Sequence, residues 1–231
     1  MPLHQLGGLL EASSKTLVLA SKSPRRQELL RQIVQDFRVC VSSFPENLPR
    51  TDPASYAEAT AEAKGQDIFR QVGGRDVIVL SADTVVEGEP GQIWEKPLDA
   101  AHAREMLMSL SGRSHSVHTG VALITDAAVE SFTVTTTVHF VKLDEADVDQ
   151  YIASGACQDK AVGIERDRRK LACAYPLESH THSRCARSFV RQGAYGIQDA
   201  WMVDRVEGDY FAVVGLPVSR VATSIKQLLP Q

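Results

Sequence analysis

Ser21-Lys22-Ser23-Pro24-Arg25-Arg26 lies between an apolar run, Leu17 to Ala20, and a segment carrying Leu29, Leu30, Ile33 and Val34 at helical spacing. Ser23 stands where a helix N-cap belongs, and Pro24 stands at the first helical position, where its missing N–H costs nothing. A helix N-terminus presents unpaired N–H groups; two hydroxyls and two guanidinium groups beside it make a donor set for phosphate oxygens. The plainer reading is a capped helix with a solvated basic first turn. Yet the helix dipole disfavours cations at that end, so two adjacent arginines there ask for an anionic partner.

Other residues able to do chemistry are scattered. Asp83 follows the apolar run Asp76 to Leu80, beyond the carboxyl end of a strand, where open α/β sheets place their ligands. A carboxylate there can hold a divalent cation, orient water, or simply cap the following turn. Glu46, among Phe44, Pro45 and Pro49, is either a metal or base carboxylate or a surface loop acid. Lys64 and Lys96, taken singly, read as solvated lysines. Cys173, His180, His182 and Cys185 offer four zinc-type ligands, but C-x6-H-x-H-x2-C is an uncommon spacing, and a plain basic loop is the simpler account. The chain lacks the GxxxxGK[ST] loop, GxGxxG and HExxH, which removes the common NTPase, dinucleotide and zincin signatures.

The elements that must position these residues alternate short apolar runs with helical patterns, as in an α/β layer fold. Strands are expected at Leu17–Ala20, Asp76–Leu80, Gly120–Thr125, Phe132–Val141 and Asp209–Gly215. Helices are expected after Pro24, after Asp52-Pro53, from Asp99 to a stop at Gly112, over Asp144–Ser154, and from Pro217 onward. Thr133, Thr135, Thr137 and His139 alternate with apolar residues, so that strand shows a threonine face to solvent. Val162 to Gln192 breaks the pattern: seven Lys or Arg against three acids give it a charge of +4, and it reads as an insertion.

Bulk properties narrow the class. The chain has 231 residues, 43% hydrophobic and 23% charged, with a net charge of −4. That supports a sizeable core and excludes a general nucleic-acid binder, which needs a basic footprint. Apolar runs such as Leu17–Ala20 are far shorter than the roughly 20 residues of a membrane span. Four cysteines with no CxxC pair, and no Lys or Arg before Lys15, fit a reducing cytoplasmic setting without a secretory signal.

Taken in order, several stretches resemble the Maf family of nucleoside triphosphate pyrophosphatases, the septum-formation proteins. They are Leu17-Val-Leu-Ala-Ser-Lys-Ser-Pro-Arg-Arg-Gln-Glu-Leu-Leu30, Ser81-Ala-Asp-Thr-Val-Val86, Glu95-Lys-Pro-Leu-Asp-Ala100, and Leu110-Ser-Gly-Arg-Ser-His115 leading into His118-Thr-Gly-Val-Ala-Leu123. Tyr151-Ile-Ala-Ser-Gly155, Asp159-Lys-Ala161 and Gly193-Ala-Tyr-Gly-Ile-Gln198 complete the set. The resemblance implies a long twisted mixed sheet flanked by helices, with a central cleft of the Maf/ITPase-like kind. It also implies hydrolysis of the α–β phosphoanhydride of a nucleoside triphosphate with Mg²⁺ or Mn²⁺, and a homodimer. By motif, Asp83 is expected to activate water, and Glu46 to join Asp83 in holding metal. Ser21, Ser23, Arg25, Arg26, Lys64 and Lys96 are expected to cradle phosphates. Arg25, Thr84 and Gln198 match the branch acting on dTTP and UTP, modified pyrimidine nucleotides included.

Three departures stand out: Glu95 where the family has Gly, Glu46 after Pro45 where Asp is common, and the insertion at 162–192. Expected boundaries are a mobile extension over 1–15 and a single catalytic domain over 16–231. The competing expectation is a non-catalytic regulator of cell division that binds nucleotide or protein.

Overall fold

The computed structural model describes residues 5–94, 97–154 and 201–229. Their elements, in chain order, are α1 Gln5–Ala12, β1 Thr16–Ala20, α2 Pro24–Arg31, β2 Arg38–Cys40, α3 Pro53–Val72, β3 Val77–Glu87, β4 Ile93–Trp94, α4 Ala100–Leu110, β5 Ser114–Ile124, β6 Val129–Phe140, α5 Glu145–Ala153, β7 Val203–Glu207, α6 Tyr210–Val214 and α7 Val218–Leu228. The strands form one mixed sheet in the order β2-β1-β3-β5-β6-β7, with β4 also on β3. β1 runs parallel to β2 and β3; the pairs β3–β5, β5–β6 and β6–β7 are antiparallel. This is the mixed, helix-flanked sheet expected from the sequence.

Helix starts follow the local chemistry. Asp52 accepts from Ser55 N, Asp99 from His102 N and Asp144 from Ala146 N, each satisfying a donor that the first turn leaves over. Gly112, at φ 68°, turns the chain after α4 into β5, in a conformation that favours glycine.

Side-chain alternation along β3 assigns its two faces. Ile78, Leu80, Ala82 and Val86 join the large core with α1, α2, α4, α5, α6 and α7; Val79 packs with Val18, Ile68 and Ala122 under α3, and Val85 packs with Tyr56 and Ala57 of α3. Helix α3 lies close on β3 and β5 because Gly120 of β5 has no side chain to hold it away. A Cβ there would fall 2.3 Å from the Ala57 carbonyl group.

Four expectations change. Asp209–Gly215 is not a strand: Asp209 accepts from Phe211 N and Ala212 N and starts the short helix α6, which Gly215 at φ 128° ends. β3 does not stop at Leu80 but runs to Glu87, so Asp83 stands within the strand rather than beyond its end. Ser23 occupies the N-cap of α2, but its side chain makes no capping hydrogen bond. The threonine face is covered only in part: Thr133 donates to Glu58 of α3 at 2.9 Å, while Thr135, bonded to His118 at 3.0 Å, stays exposed. Residues 5–12, within the expected extension, form α1, with Leu6 and Leu10 buried in the main core. The insertion at 162–192, with its Cys/His set, lies outside the described residues. No helix among the described residues is long and apolar enough to cross a membrane.

His115 on β5 is 4% exposed and meets the Phe140 ring edge-on at 4.9 Å between centroids. Burial, with a smaller push from His139, lowers its pKa to about 4. Its folded pKa lies below the unfolded value, so the unfolded chain binds the extra proton and stability falls as pH drops from about 6.5 toward 4. Between pH 7 and pH 5 the loss from this residue is about 2 kcal/mol. Urea unfolding at both pH values should show that loss, and His115→Leu should remove most of it. An unchanged pH dependence in the variant would mean that His115 is not held neutral.

Candidate active site

An opening in the sheet ladder brings the polar residues together. β5 pairs with β3 from Val79 to Glu87, so β1 and β4 share the other edge of β3. On that edge β1 reaches only Leu80, and β4 begins at Val86. Residues 81–85 therefore have no strand beside them there among the described residues. Asp83 and Thr84 sit in this opening, and as consecutive strand residues they face opposite sides of the sheet.

On the α3 side, Lys64 Nζ donates to Asp83 Oδ1 at 2.7 Å and pairs with Glu46 Oε1 at 3.0 Å. Lys64 and Asp83 are largely buried, whereas Glu46 is half exposed. Glu46 has φ 47°, a left-handed conformation that costs a non-glycine residue about 1–3 kcal/mol. The loop holds it there because its start is tied to α3: Ser42 Oγ and Ser43 N donate to Asp67 Oδ2 at 2.7 and 2.9 Å. These hydrogen bonds, Ser42's first, hold the Asp67 pKa below the usual carboxylate value. Asp67 lies three residues after Lys64, on nearly the same face of α3, so one helix presents the lysine and anchors the loop that brings Glu46 to it.

On the opposite side, Arg26 of α2 donates from Nη2 to Thr84 Oγ1 at 3.1 Å and from Nε to the Gly215 carbonyl at 2.9 Å. Its Nη1 reaches Ser21 Oγ at 3.4 Å, and the same oxygen accepts from Ser23 N at 3.2 Å. The loop between β1 and α2 is thereby folded over Ser21, which is itself buried. Thr84 Oγ1 also lies 2.9 Å from Thr119 Oγ1, and Thr119 donates to the Ala212 carbonyl at 2.7 Å.

Electrostatics join the two sides. Desolvation raises the Asp83 pKa, while the charges of Lys64 and then Arg26 pull it down. Desolvation likewise lowers the Arg26 pKa, opposed by Asp83 and Glu46. A desolvated carboxylate held between two cations is a base whose strength is set by its surroundings. The cations in turn have charge to give to an anion that enters the opening.

The structure thus gathers Ser21, Ser23, Arg26, Glu46, Lys64, Asp83 and Thr84, with Arg25 half-buried next to Arg26 on α2. Lys96 and Gln198 lie outside the described residues. Sequence reading missed Thr119 and the carbonyls of Ala212 and Gly215. Thr119 sits in a quoted motif, but a single threonine in a strand carries no chemical signal, and the carbonyls belong to a segment read as a strand.

Among the described residues no three His, Cys, Asp or Glu side chains cluster closely enough to hold a metal by themselves. Asp83 and Glu46 nevertheless meet on one cation, the Lys64 ammonium. Two carboxylates, with phosphate oxygens and water completing the shell, are a normal Mg²⁺ donor set. The residues present fit such an ion.

The family model described as Maf-like protein matches residues 16–175 and 176–228. The dTTP/UTP pyrophosphatase of Lacticaseibacillus casei (strain BL23) is 39% identical over 207 residues, covering 88% of this chain and 94% of its own. The dTTP/UTP pyrophosphatase of Halalkalibacterium halodurans is 37% identical over 215 residues, covering 92% of this chain and 95% of its own. Among solved structures, the Staphylococcus aureus Ham1 protein overlaps 55% of this chain and 72% of its own at TM-score 0.40 and 16% identity. With a family match across most of its length and relatives more than a third identical along nearly all of theirs, the chain belongs to the Maf-like protein family.

Proposed function

We propose that this chain hydrolyses dTTP and UTP to the monophosphate and pyrophosphate. The observation that carries the reading is the ladder opening, where buried Asp83 lies between Lys64 and Arg26. Supporting it, the relatives named above are dTTP/UTP pyrophosphatases, similar over nearly their full lengths.

The chemistry follows from the charges. A triphosphate with one bound divalent ion still carries about −2, so its site needs several cationic donors. Arg26, Arg25 and Lys64 supply them, with Lys96 as a further candidate from its motif. Ser21 and Ser23, beside the N-terminus of α2, add hydroxyl and backbone donors. Asp83 takes the proton of a water whose oxygen forms the new bond to the α-phosphorus. The α–β bridging oxygen leaves with pyrophosphate. Burial raises the basicity of Asp83, and the charges of the two cations oppose that rise. Asp83 and Glu46 would hold a divalent ion, which would supply charge neutralisation on the phosphate oxygens. Positioning and charge carry most of such a reaction, since no covalent enzyme intermediate is needed. Arg25, Thr84 and Gln198 are the candidates for base choice, and the amide of Gln198 suits a pyrimidine edge.

A panel of nucleoside triphosphates with Mg²⁺, read by pyrophosphate release, tests the reading. UTP and dTTP should exceed GTP and ATP in kcat/KM by about tenfold or more, the worth of one lost hydrogen bond in a desolvated pocket. No release from any triphosphate under Mg²⁺ or Mn²⁺ overturns the activity. Equal rates on purines and pyrimidines overturn the specificity alone.

A further inference from the structure

We infer that Thr119 is a positioning residue: its buried hydroxyl fixes the direction of a hydrogen-bond chain that makes Thr84 an acceptor for Arg26, and so holds the guanidinium for the substrate's phosphates. The inference deepens the pyrophosphatase reading above and rests on it for the identity of the anion.

The direction follows from proton counting. A threonine hydroxyl has one proton and two lone pairs. The Ala212 carbonyl can only accept, so the 2.7 Å contact uses the single proton of Thr119. Thr119 must then accept in its 2.9 Å contact with Thr84, and Thr84 must donate. With that proton committed, Thr84 can only accept elsewhere, as it does from Arg26 Nη2 at 3.1 Å. The chain therefore runs one way, from Arg26 through Thr84 and Thr119 to the backbone of α6. Its far end is rigid, because Thr119 is fully buried. Arg26 is gripped a second time by α6, through Nε to the Gly215 carbonyl at 2.9 Å. One direct contact at the end of α6 and one relayed through Thr84 and Thr119 set the plane of the guanidinium, while Ser21 takes a third N–H. The remaining N–H bonds are available to phosphate oxygens.

Without the Thr119 hydroxyl the chain loses its direction. Thr84 would have no acceptor behind it, its proton could turn toward Arg26 or toward the substrate, and the donor set facing the phosphates would no longer be prearranged. Misplacing one such group lowers rate through orientation, without any contact between Thr119 and substrate.

Thr119→Val keeps the shape and removes the proton; Thr119→Ser keeps the proton. Turnover of UTP and calorimetric binding of inorganic tripolyphosphate are measured on the full chain, with melting curves for every variant. Thr119→Val should lower kcat/KM about ten- to hundredfold and weaken tripolyphosphate binding, while Thr119→Ser stays within about threefold of wild type. In a Thr84→Val background, where the chain is already cut, adding Thr119→Val should cost less than about threefold. Should Thr119→Val not fold, Thr119→Cys, a weak donor of similar size, serves the same comparison. Wild-type values in Thr119→Val, an equal loss in Thr119→Ser, or an undiminished effect in the Thr84→Val background would each overturn the inference. A wild type that turns over no triphosphate, yet loses tripolyphosphate binding on Thr119→Val, would sink the pyrophosphatase reading and support the positioning role.

Discussion

Asp83→Asn should lower the rate of pyrophosphate release about 10²- to 10⁴-fold at saturating UTP and Mg²⁺, the range typical of a lost general base or metal carboxylate. The substitution is nearly isosteric, and what it removes is charge. Asp83 is the carboxylate on which both sides of the site converge, through its 2.7 Å bond to Lys64 and its electrostatic contact with Arg26. The amide cannot take a proton from water and is a poor ligand for a hard cation. The fold should survive, because Lys64 keeps Glu46 at 3.0 Å and the burial cost of the Asp83 charge disappears with the charge. The check is steady-state release alongside a melting curve. Near wild-type turnover in a folded Asp83→Asn protein would remove Asp83 from the chemistry.

The second large effect comes from a residue with no side chain. Gly120 pairs directly with Asp83 across the β3–β5 ladder, and α3 lies against it. A methyl group there would stand 2.3 Å from Ala57 C and O and 2.4 Å from Glu58 N, all helix backbone with no flexible end to give way. Gly120→Ala must push α3 off the sheet. Overpacking of this kind costs about 1–3 kcal/mol, and here it also lifts Lys64, two turns along the same helix, away from Asp83. The expected result is a lower urea midpoint together with at least about a tenfold loss of kcat/KM, the rate equivalent of 1.4 kcal/mol. Gly8→Ala is the control. A Cβ on Gly8 in α1 meets nothing within 4 Å, and alanine is favoured over glycine inside a helix by about 0.5–1 kcal/mol. If Gly120→Ala behaved like Gly8→Ala, the close seating of α3 would not be what places Lys64.

What the sequence revealed and what it hid divide along range of interaction. Asp52-Pro53, Asp99 and Asp144 marked helix starts correctly, because an N-cap is a contract between residues two or three apart. The alternation from Phe132 to Phe140 gave a strand for the same local reason. The run Tyr210 to Val214 misled because its apolar character suits a buried strand as well as a buried helical turn. The deciding detail was Asp209 just before it, capping two N–H groups. β3 was cut short at Leu80 because Ser81, Asp83 and Thr84 look like the end of a strand. They are tolerated in a central strand because each finds a distant partner: Ser81 the Ala61 carbonyl at 2.7 Å, Asp83 Lys64, and Thr84 Thr119. That Ser21 to Arg26 crowd donors onto a helix start was legible from residue types alone. That Arg26 would be gripped from residues 84 and 215 was not, since nothing local encodes a contact between segments so far apart in the chain.

Asp83 and Thr84 are neighbours in sequence yet belong to different layers of the molecule. Each layer has its own scaffold: α3 and its anchored loop behind the acid, α2 and α6 behind the guanidinium. Substitutions in α3 therefore reach this pair of residues through Lys64 and the loop of Glu46, and substitutions in α2 or α6 reach it through Arg26. A lineage built on this plan can repack one scaffold while leaving the packing of the other in place. The adjoining pair on a single strand is the seam between two half-sites that are scaffolded apart and coupled through charge.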